Sequence, residues 1–255
     1  MAKRLELFAP ENFPLIEPGD RLSDLIVNSL RDEEIGLKQG DVLVLAQKVV
    51  SKSEGRLTSI ESVEASDEAV SLAATCDKDA RLVQLILDES TEILRCAPGV
   101  LIVRHKLGFV MANAGIDHSN IATDSSDEHV LLLPERPDMS ARQLRLELET
   151  AVGCDLAVII SDSFGRPWRL GTTGVCIGCD GIVPLQDKRG EFDLFGNELM
   201  VTQIAMGDEL ATAASILMGQ SDEARPLVIL RGLEFEPASR SARDLIRPAN
   251  EDLFK

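Results

Sequence analysis

Leu156-Ala157-Val158-Ile159-Ile160-Ser161-Asp162-Ser163 is a run of five apolar residues that passes directly into hydroxyls and a carboxylate. Five residues suit a buried strand and are too few for a buried helix. Ahead of the run, Ala141 to Val152 has helical spacing, with Ser140 as the expected cap. A helix that feeds a buried strand marks a chain of mixed helices and sheets. The same order recurs on either side. Asp41-Val42-Leu43-Val44-Leu45-Ala46, after the turn signal Gln39-Gly40, reads as another buried strand. Leu22, Leu25, Ile26, Ser29 and Leu30 precede it at helical spacing, with Asp20 or Ser23 to cap. Residues 67–96 read as helical throughout, on Val70, Leu72, Ala73, Ala74, Leu82, Leu85, Ile86 and Ile93. Val100 to Val103, after Pro98-Gly99, reads as a strand whose hairpin partner is Gly108 to Met111. Asp208 to Met218 reads as a helix stopped by Gly219, and Pro226 to Leu230 as the last strand. No repeat or linker divides the chain; the acidic stretch Asp124 to Asp138, with its two prolines, is the expected exposed excursion or subdomain boundary.

The 255 residues are 44% hydrophobic and carry a net charge of −17, the composition of a folded protein. That charge argues against a broad phosphate-binding surface, so no nucleic acid is expected as a partner, and it disfavours an anionic membrane. No apolar run is long enough to span a bilayer, and Met1 to Pro10 lacks the apolar core of a signal peptide. Five cysteines, spread from Cys76 to Cys179, are an odd number and suit a reducing cytoplasm better than a disulfide framework.

Three segments share one design, an apolar strand running into a loop rich in small and charged residues, where chains of this class place ligands. In the first, Leu45 to Arg56, Lys48 and Lys52 are four apart and share a helix face. They either grip a polyanion or form a solvated basic helix start. In the second, Arg104 to Asn120, Gly115 permits a positive φ, and Asp117 and Asn120 offer oxygens to a hard cation and a polar group. The competing reading is an Asx turn in which they only satisfy the backbone. In the third, Ile160 to Gly174, Asp162 at a strand end is pre-positioned for magnesium, and Ser163 adds a hydroxyl. Arg166 and Arg169 suit phosphate or carboxylate, with the single Trp, Trp168, between them. Here the competing reading is a loop pinned by Trp168 with surface arginines.

Neither a Gly-x-x-x-x-Gly-Lys-Ser/Thr loop, nor Gly-x-Gly-x-x-Gly, nor Gly-x-Ser-x-Gly occurs. Three histidines (His105, His118, His129) make an imidazole zinc site improbable. Cys176-Ile177-Gly178-Cys179 has no second pair and reads as two small buried residues on a strand rather than a redox or half-zinc site.

Together these stretches resemble the coenzyme F-420 glutamate ligase family, which adds L-glutamate to a deazaflavin coenzyme precursor. The resemblance rests on Phe13-Pro14-Leu15-Ile16 with Gly19-Asp20, Gln47 to Arg56, Leu107 to Asn120, Ser161 to Gly174, Asp208 to Ala211 and Met218-Gly219-Gln220. Arg231-Gly232-Leu233, Ile246-Arg247-Pro248 and Asp252 to Phe254 also fit. It implies an α+β fold of mixed sheets with packed helices, peculiar to the family, in one ligase domain over 1–255 with scope for two intertwined subdomains. It implies a homodimer that uses GTP and two Mg²⁺ or Mn²⁺ ions per subunit, with stimulation by K⁺ that no residue here can be matched to. Asp117, Asp162, Ser163 and Gln220 match the metal positions. Phe13, Pro14, Leu15, Ile16, Gln47, Lys48, Lys52 and Asn120 match the nucleotide surround, as do Met218, Gly219, Gln220, Ser221, Asp222, Glu223, Ala224 and Arg225. Cys176 and Cys179 depart from the small apolar residues expected there. A flavin-binding reductase domain carried by some relatives has no room in 255 residues.

Joining a carboxylate to an amine in water is uphill, so activation as an acyl phosphate is expected, with metal neutralising the triphosphate. Lys48, Lys52 and Arg166 are the expected catalytic cations; Arg166 or Arg169 holding a substrate carboxylate is read from charge alone. A nucleotide phosphohydrolase or kinase, a GTP-sensing regulator, and a ligase for another pterin or deazaflavin acid remain the alternatives. Segments 45–56, 104–120 and 161–171 carry +2, +1 and +1, which leaves −21 on the remainder. The expectation is therefore a locally positive cleft in an acidic shell, closed to nucleic acid and open to a nucleotide.

Overall fold

The computed structural model describes residues 3–120 and 128–252. In chain order the first half runs β1 (Glu6–Phe8), α1 (Leu22–Asp32), β2 (Val42–Ala46), α2 (Gln47–Ser53) and β3 (Leu57–Ser59). It continues through α3 (Asp67–Cys76), α4 (Ala80–Asp88), β4 (Ser90–Ala97), β5 (Val100–His105) and β6 (Val110–Ala112). The second half has β7 (His129–Leu131), α5 (Pro137–Val152), β8 (Ala157–Arg166) and β9 (Arg169–Asp180). Then follow β10 (Gln186–Asp187), β11 (Gln203–Ile204), α6 (Met206–Met218) and β12 (Leu227–Arg231). The architecture is α+β.

A five-stranded sheet in the order β1-β12-β2-β8-β9 forms the centre, and only β2 and β8 run parallel. Val42–Leu45, Ala157–Ile160 and Leu227–Leu230 of its middle strands are apolar at every position because both faces are covered there. Leu43, Leu45, Val158, Ile160, Leu227 and Ile229 pack with α1 and α5 residues such as Ile26, Leu30, Leu144 and Leu148. Val42, Val44, Ala157, Ile159, Val228 and Leu230 face the other way, onto Leu210, Ala211 and Ala214 of α6. Alternation at period two therefore splits one apolar run between two cores. Each fully buried Leu or Ile contributes about 1.5–3 kcal/mol. The helices lie close because β9 carries glycine where they cross: a Cβ on Gly174 would stand 2.3 Å from Ala211 O, and one on Gly178 2.5 Å from the Pro137 carbonyl carbon. A smaller sheet, β4-β5-β6, packs on α3 and α4, and β3 pairs with β7.

Several expectations change. Residues 67–96 are two helices and a strand. Ser66 and Asp79 cap α3 and α4, Asp77 at φ 52 breaks between them, and Ile93 lies in β4, paired with Val103 of β5. Neither Asp20 nor Ser23 caps α1: Asp20 accepts from Glu17 N, and Ser23, inside the helix, donates to Glu147 at 2.6 Å to tie α1 to α5. Likewise α5 begins at Pro137, one turn before Ser140, whose hydroxyl donates to Glu54. The stretch 124–138 is no exposed boundary where it is described. His129–Leu131 pairs with β3, and Val130 to Leu133 are buried; residues 121–127 lie outside the described part. The β5–β6 hairpin, the α6 stop at Gly219 and the buried strands at the centre are as read.

Candidate active site

The parallel pairing of β2 with β8 ends with Ala46 opposite Ser161. At that point β2 turns into α2, while β8 continues outward and pairs with β9. Gln47 and Lys48 are thereby set beside Asp162 and Ser163. A bond from Ala46 N to Pro226 O (2.8 Å) brings in the segment that follows α6. A cleft of about 640 Å³ opens here, lined by residues 13–16, 46–49, 52, 117, 119–120, 161–163, 215 and 218–226. All the sequence-derived metal and nucleotide positions meet in it; Arg166 does not.

The lining is connected through side chains. Lys48 Nζ lies 2.8 Å from Asp117 Oδ2 and donates to Ser119 Oγ at 2.6 Å. Lys52 Nζ, one helical turn on, donates to Asn120 O at 2.7 Å, so the two lysines do share a face. Asn120 Nδ2 donates to Ser221 O (3.2 Å), and Ser163 Oγ donates to Gln220 Oε1 (2.8 Å), which joins the post-α6 segment to both other walls. Asp117 is held by its bridge to Leu131, with both backbone groups paired. Its Oδ1 accepts from Ser119 N at 2.6 Å. The Asx-turn reading therefore holds for one oxygen, and the other faces the lysine.

The two carboxylates are unequal. Burial raises the Asp117 pKa, but Lys48 and the Ser119 N–H outweigh it and hold the group below its usual value. Asp162 has no cation in contact; burial, then the charge of Asp117, pushes it up to about 7. Lys52 is lowered, by burial first and by Lys48 second. Gln47 is buried: its Oε1 accepts from Ser51 Oγ, and its Nε2 has no protein partner. A divalent cation fits this set. Among the described residues no group of three or more His, Cys, Asp or Glu converges, so the donors are two carboxylates with Ser163 and Gln220 oxygens. Magnesium characteristically takes one or two carboxylates and completes its shell with water and phosphate oxygens.

The expected positive cleft is not found. The lining holds Lys48, Lys52 and Arg225 against Asp117, Asp162, Asp222 and Glu223, because Arg104, Lys106, Arg166 and Arg169 lie elsewhere. Segment charge misleads here because neighbours in sequence diverge on leaving the sheet. The third segment is no loop either. Asp162 lies within β8, which continues to Arg166 and returns as β9 through Pro167-Trp168. Trp168 pins nothing and is 89% exposed. Cys176 and Cys179 are buried on β9, as read. Ser119, Ser161 and Ser215 also line the cleft. Ser119 was within reach of sequence reasoning through its Asx position, whereas Ser215 enters only through the docking of α6. A second groove of about 740 Å³ lies along α5 between Glu54 and Glu147, and none of the paired lysines or carboxylates reaches it.

Residues 11–232 match the profile of the family described as F420-0:Gamma-glutamyl ligase. A "Coenzyme F420:L-glutamate ligase" of Methanopyrus kandleri is 46% identical over 94% of this chain and 93% of its own length. Proteins of the same description from Methanothermobacter thermautotrophicus and Methanocaldococcus jannaschii are 42% and 41% identical. Those two alignments cover 98% and 99% of this chain, and 99% and 98% of the relatives. The chain belongs to the F420-0:Gamma-glutamyl ligase family.

Proposed function

From that membership, we propose that the chain forms an amide bond between L-glutamate and the deazaflavin acid F-420-0, using GTP and divalent metal. The observation that carries the reading is the convergence of Lys48, Lys52, Asp117 and Asp162 in one cleft where the parallel pairing of β2 with β8 stops. A cleft whose lining is not net positive repels a bare triphosphate, so entry with bound Mg²⁺ or Mn²⁺ follows from its charge.

The apolar run 13–16 and residues 218–225 flank the space for the nucleotide. Metal ions held by Asp117, Asp162, Ser163 and Gln220 would screen the phosphates and polarise the one transferred. Lys52, fixed to Asn120 O, and Lys48, released from Asp117, set positive charge beside the migrating phosphoryl group. The acceptor carboxylate oxygen attacks the γ-phosphorus and GDP leaves, giving an acyl phosphate. The glutamate amine then attacks the acyl carbon, sheds a proton and expels phosphate. The free Nε2 of Gln47 offers a donor to an oxygen in this space.

A homodimer is part of the proposal. It is supported by the segment between β10 and β11, where Phe192, Leu194, Phe195, Met200 and Val201 are 68–98% exposed. Five large apolar side chains exposed within one ten-residue segment are unusual on a monomer. A cytoplasmic setting accords with the free thiols of all five cysteines. Incubation with F-420-0, L-glutamate, GTP and Mn²⁺, read by mass spectrometry, tests the function. One added glutamate is expected and γ-linked further additions are visible in the same spectrum. Phosphate release from GTP without glutamate incorporation would instead identify a phosphohydrolase.

A further inference from the structure

We infer that the tip of the β8–β9 hairpin binds the ring end of the acceptor acid, with Trp168 as a stacking platform and Arg166 and Arg169 as a clamp for anionic oxygens at that end. The inference rests on the ligase reading above, which requires a flat heteroaromatic ring to be recognised somewhere beyond the reacting carboxylate.

The turn itself is the first observation. Pro167-Trp168 joins β8 to β9 in two residues, and Trp168 has φ 64. After proline at the first turn position, a positive φ at the second ordinarily selects glycine or asparagine. A tryptophan there carries backbone strain, and its ring, 89% exposed, gains no packing in return. Leu170 beside it is 99% exposed.

Charge is the second. Arg166 and Arg169 are direct cross-strand partners, and like charges so placed destabilise a hairpin. Neither has a carboxylate partner among the described residues; Arg166 reaches only Leu170 O, at 3.4 Å. Two planar guanidiniums without a counter-ion suit one anionic group held between them.

Position is the third. Arg166 lies four residues beyond Asp162 on one strand, roughly 13 Å at strand rise. Between them Phe164 meets Phe109 edge-on at 6.0 Å and braces the hairpin. An acid with its carboxylate at Asp162 and its tail along β8 therefore brings its ring to Trp168. Glutamate is too short for that span and has no ring, and none of residues 164–170 lines the cleft in which the nucleotide-matched positions meet.

Because the chain has one Trp and no Tyr, its near-ultraviolet emission reports the tip alone. Titrating the wild-type protein with F-420-0, without GTP, is expected to quench that emission saturably, whereas GTP with Mg²⁺ leaves it unchanged. In turnover, Trp168→Ala is expected to raise the acceptor KM about tenfold or more. The KM for GTP should stay as it is, and Trp168→Phe should recover most of the loss. Absence of quenching by the acid overturns the inference, as does equal quenching by GTP. An unmoved acceptor KM, with any change confined to oligomeric state, overturns it too. Amide formation by the wild-type chain judges the ligase reading separately, so a chain that ligates without any response at Trp168 leaves that reading standing and removes only the tip site.

Discussion

The Lys48 ammonium stands 2.8 Å from Asp117 Oδ2, where it fills the flank of the carboxylate that a metal ion would take. The pair is partly exposed, with about a quarter to a third of each side chain open, so it contributes no more than about 1 kcal/mol and is easily displaced. In the proposed reaction Lys48 neutralises Asp117 until a metal–nucleotide complex arrives, and would then be free to turn to the phosphates.

Lys48→Ala should separate those two roles. Metal binding without nucleotide is expected to tighten severalfold, since its competitor is gone, while kcat falls by about 10²-fold. Calorimetric titration with Mn²⁺ and steady-state rates measure the two. Weaker metal binding in the variant would sink the competition.

Asp162 carries a pH signature. Its pKa in the folded chain is about 7, against 3.8 for an ordinary aspartate, so between those values the folded state holds a proton that the unfolded state has lost. Stability of the metal-free protein therefore falls as pH rises through this window, by up to about 1.4 kcal/mol per pH unit from this group, and levels off above pH 7. Asp162→Asn should flatten that component between pH 5 and 7 in urea unfolding with EDTA present, and parallel curves for the two proteins would refute it. Asp162→Ala is expected to abolish ligation with the fold retained, and normal activity at ordinary magnesium levels would remove the metal assignment.

In the proposed role Lys52 would have to stay protonated to hold phosphate, and its pKa is lowered by burial and by Lys48. Lys52→Ala should raise the KM for GTP about tenfold. In the wild type the same constant should climb on the alkaline side, below the pH at which an exposed lysine titrates. Lys52→Arg, which keeps its charge, should lack that climb. A change confined to the glutamate constant would assign Lys52 to the other substrate.

Gly174→Ala tests the packing of α6 on β9. The added methyl meets backbone at Ala211 O, which has no rotamer by which to withdraw. Destabilisation of about 1–3 kcal/mol is expected, read as a lowered midpoint in denaturant. Because Thr212 is held to Gly174 O at 2.9 Å, displaced α6 should also loosen the segment from Met218 onward and raise the GTP constant. An unchanged midpoint would show that the helix yields freely.

The strands at Val42–Ala46 and Leu227–Arg231, the α6 stop and the β5–β6 hairpin were legible because their signals are local: apolar runs, a positive-φ glycine, short turns. Asp117 and Asp162, singled out from their own segments, and Gln220, matched by the family resemblance, do line one cleft. Illegible were the elements whose state depends on a remote partner. Ile93 fits a helical period, yet β5 is available to pair with it, and burial on that sheet decides. Asp162 to Arg166 resemble a loop in composition and become strand because β9 returns along them.

By itself, then, the order of residues determined the buried central strands, the helices that cover them and membership of the family. Tertiary structure decided which charges meet. It put Lys48 against Asp117, left Asp162 uncompensated, and carried Arg166 and Trp168 away along the hairpin. The reason is geometric: helical period and strand alternation act over a few residues, whereas Coulomb energy and burial depend on distance in space, which only the packed sheet sets.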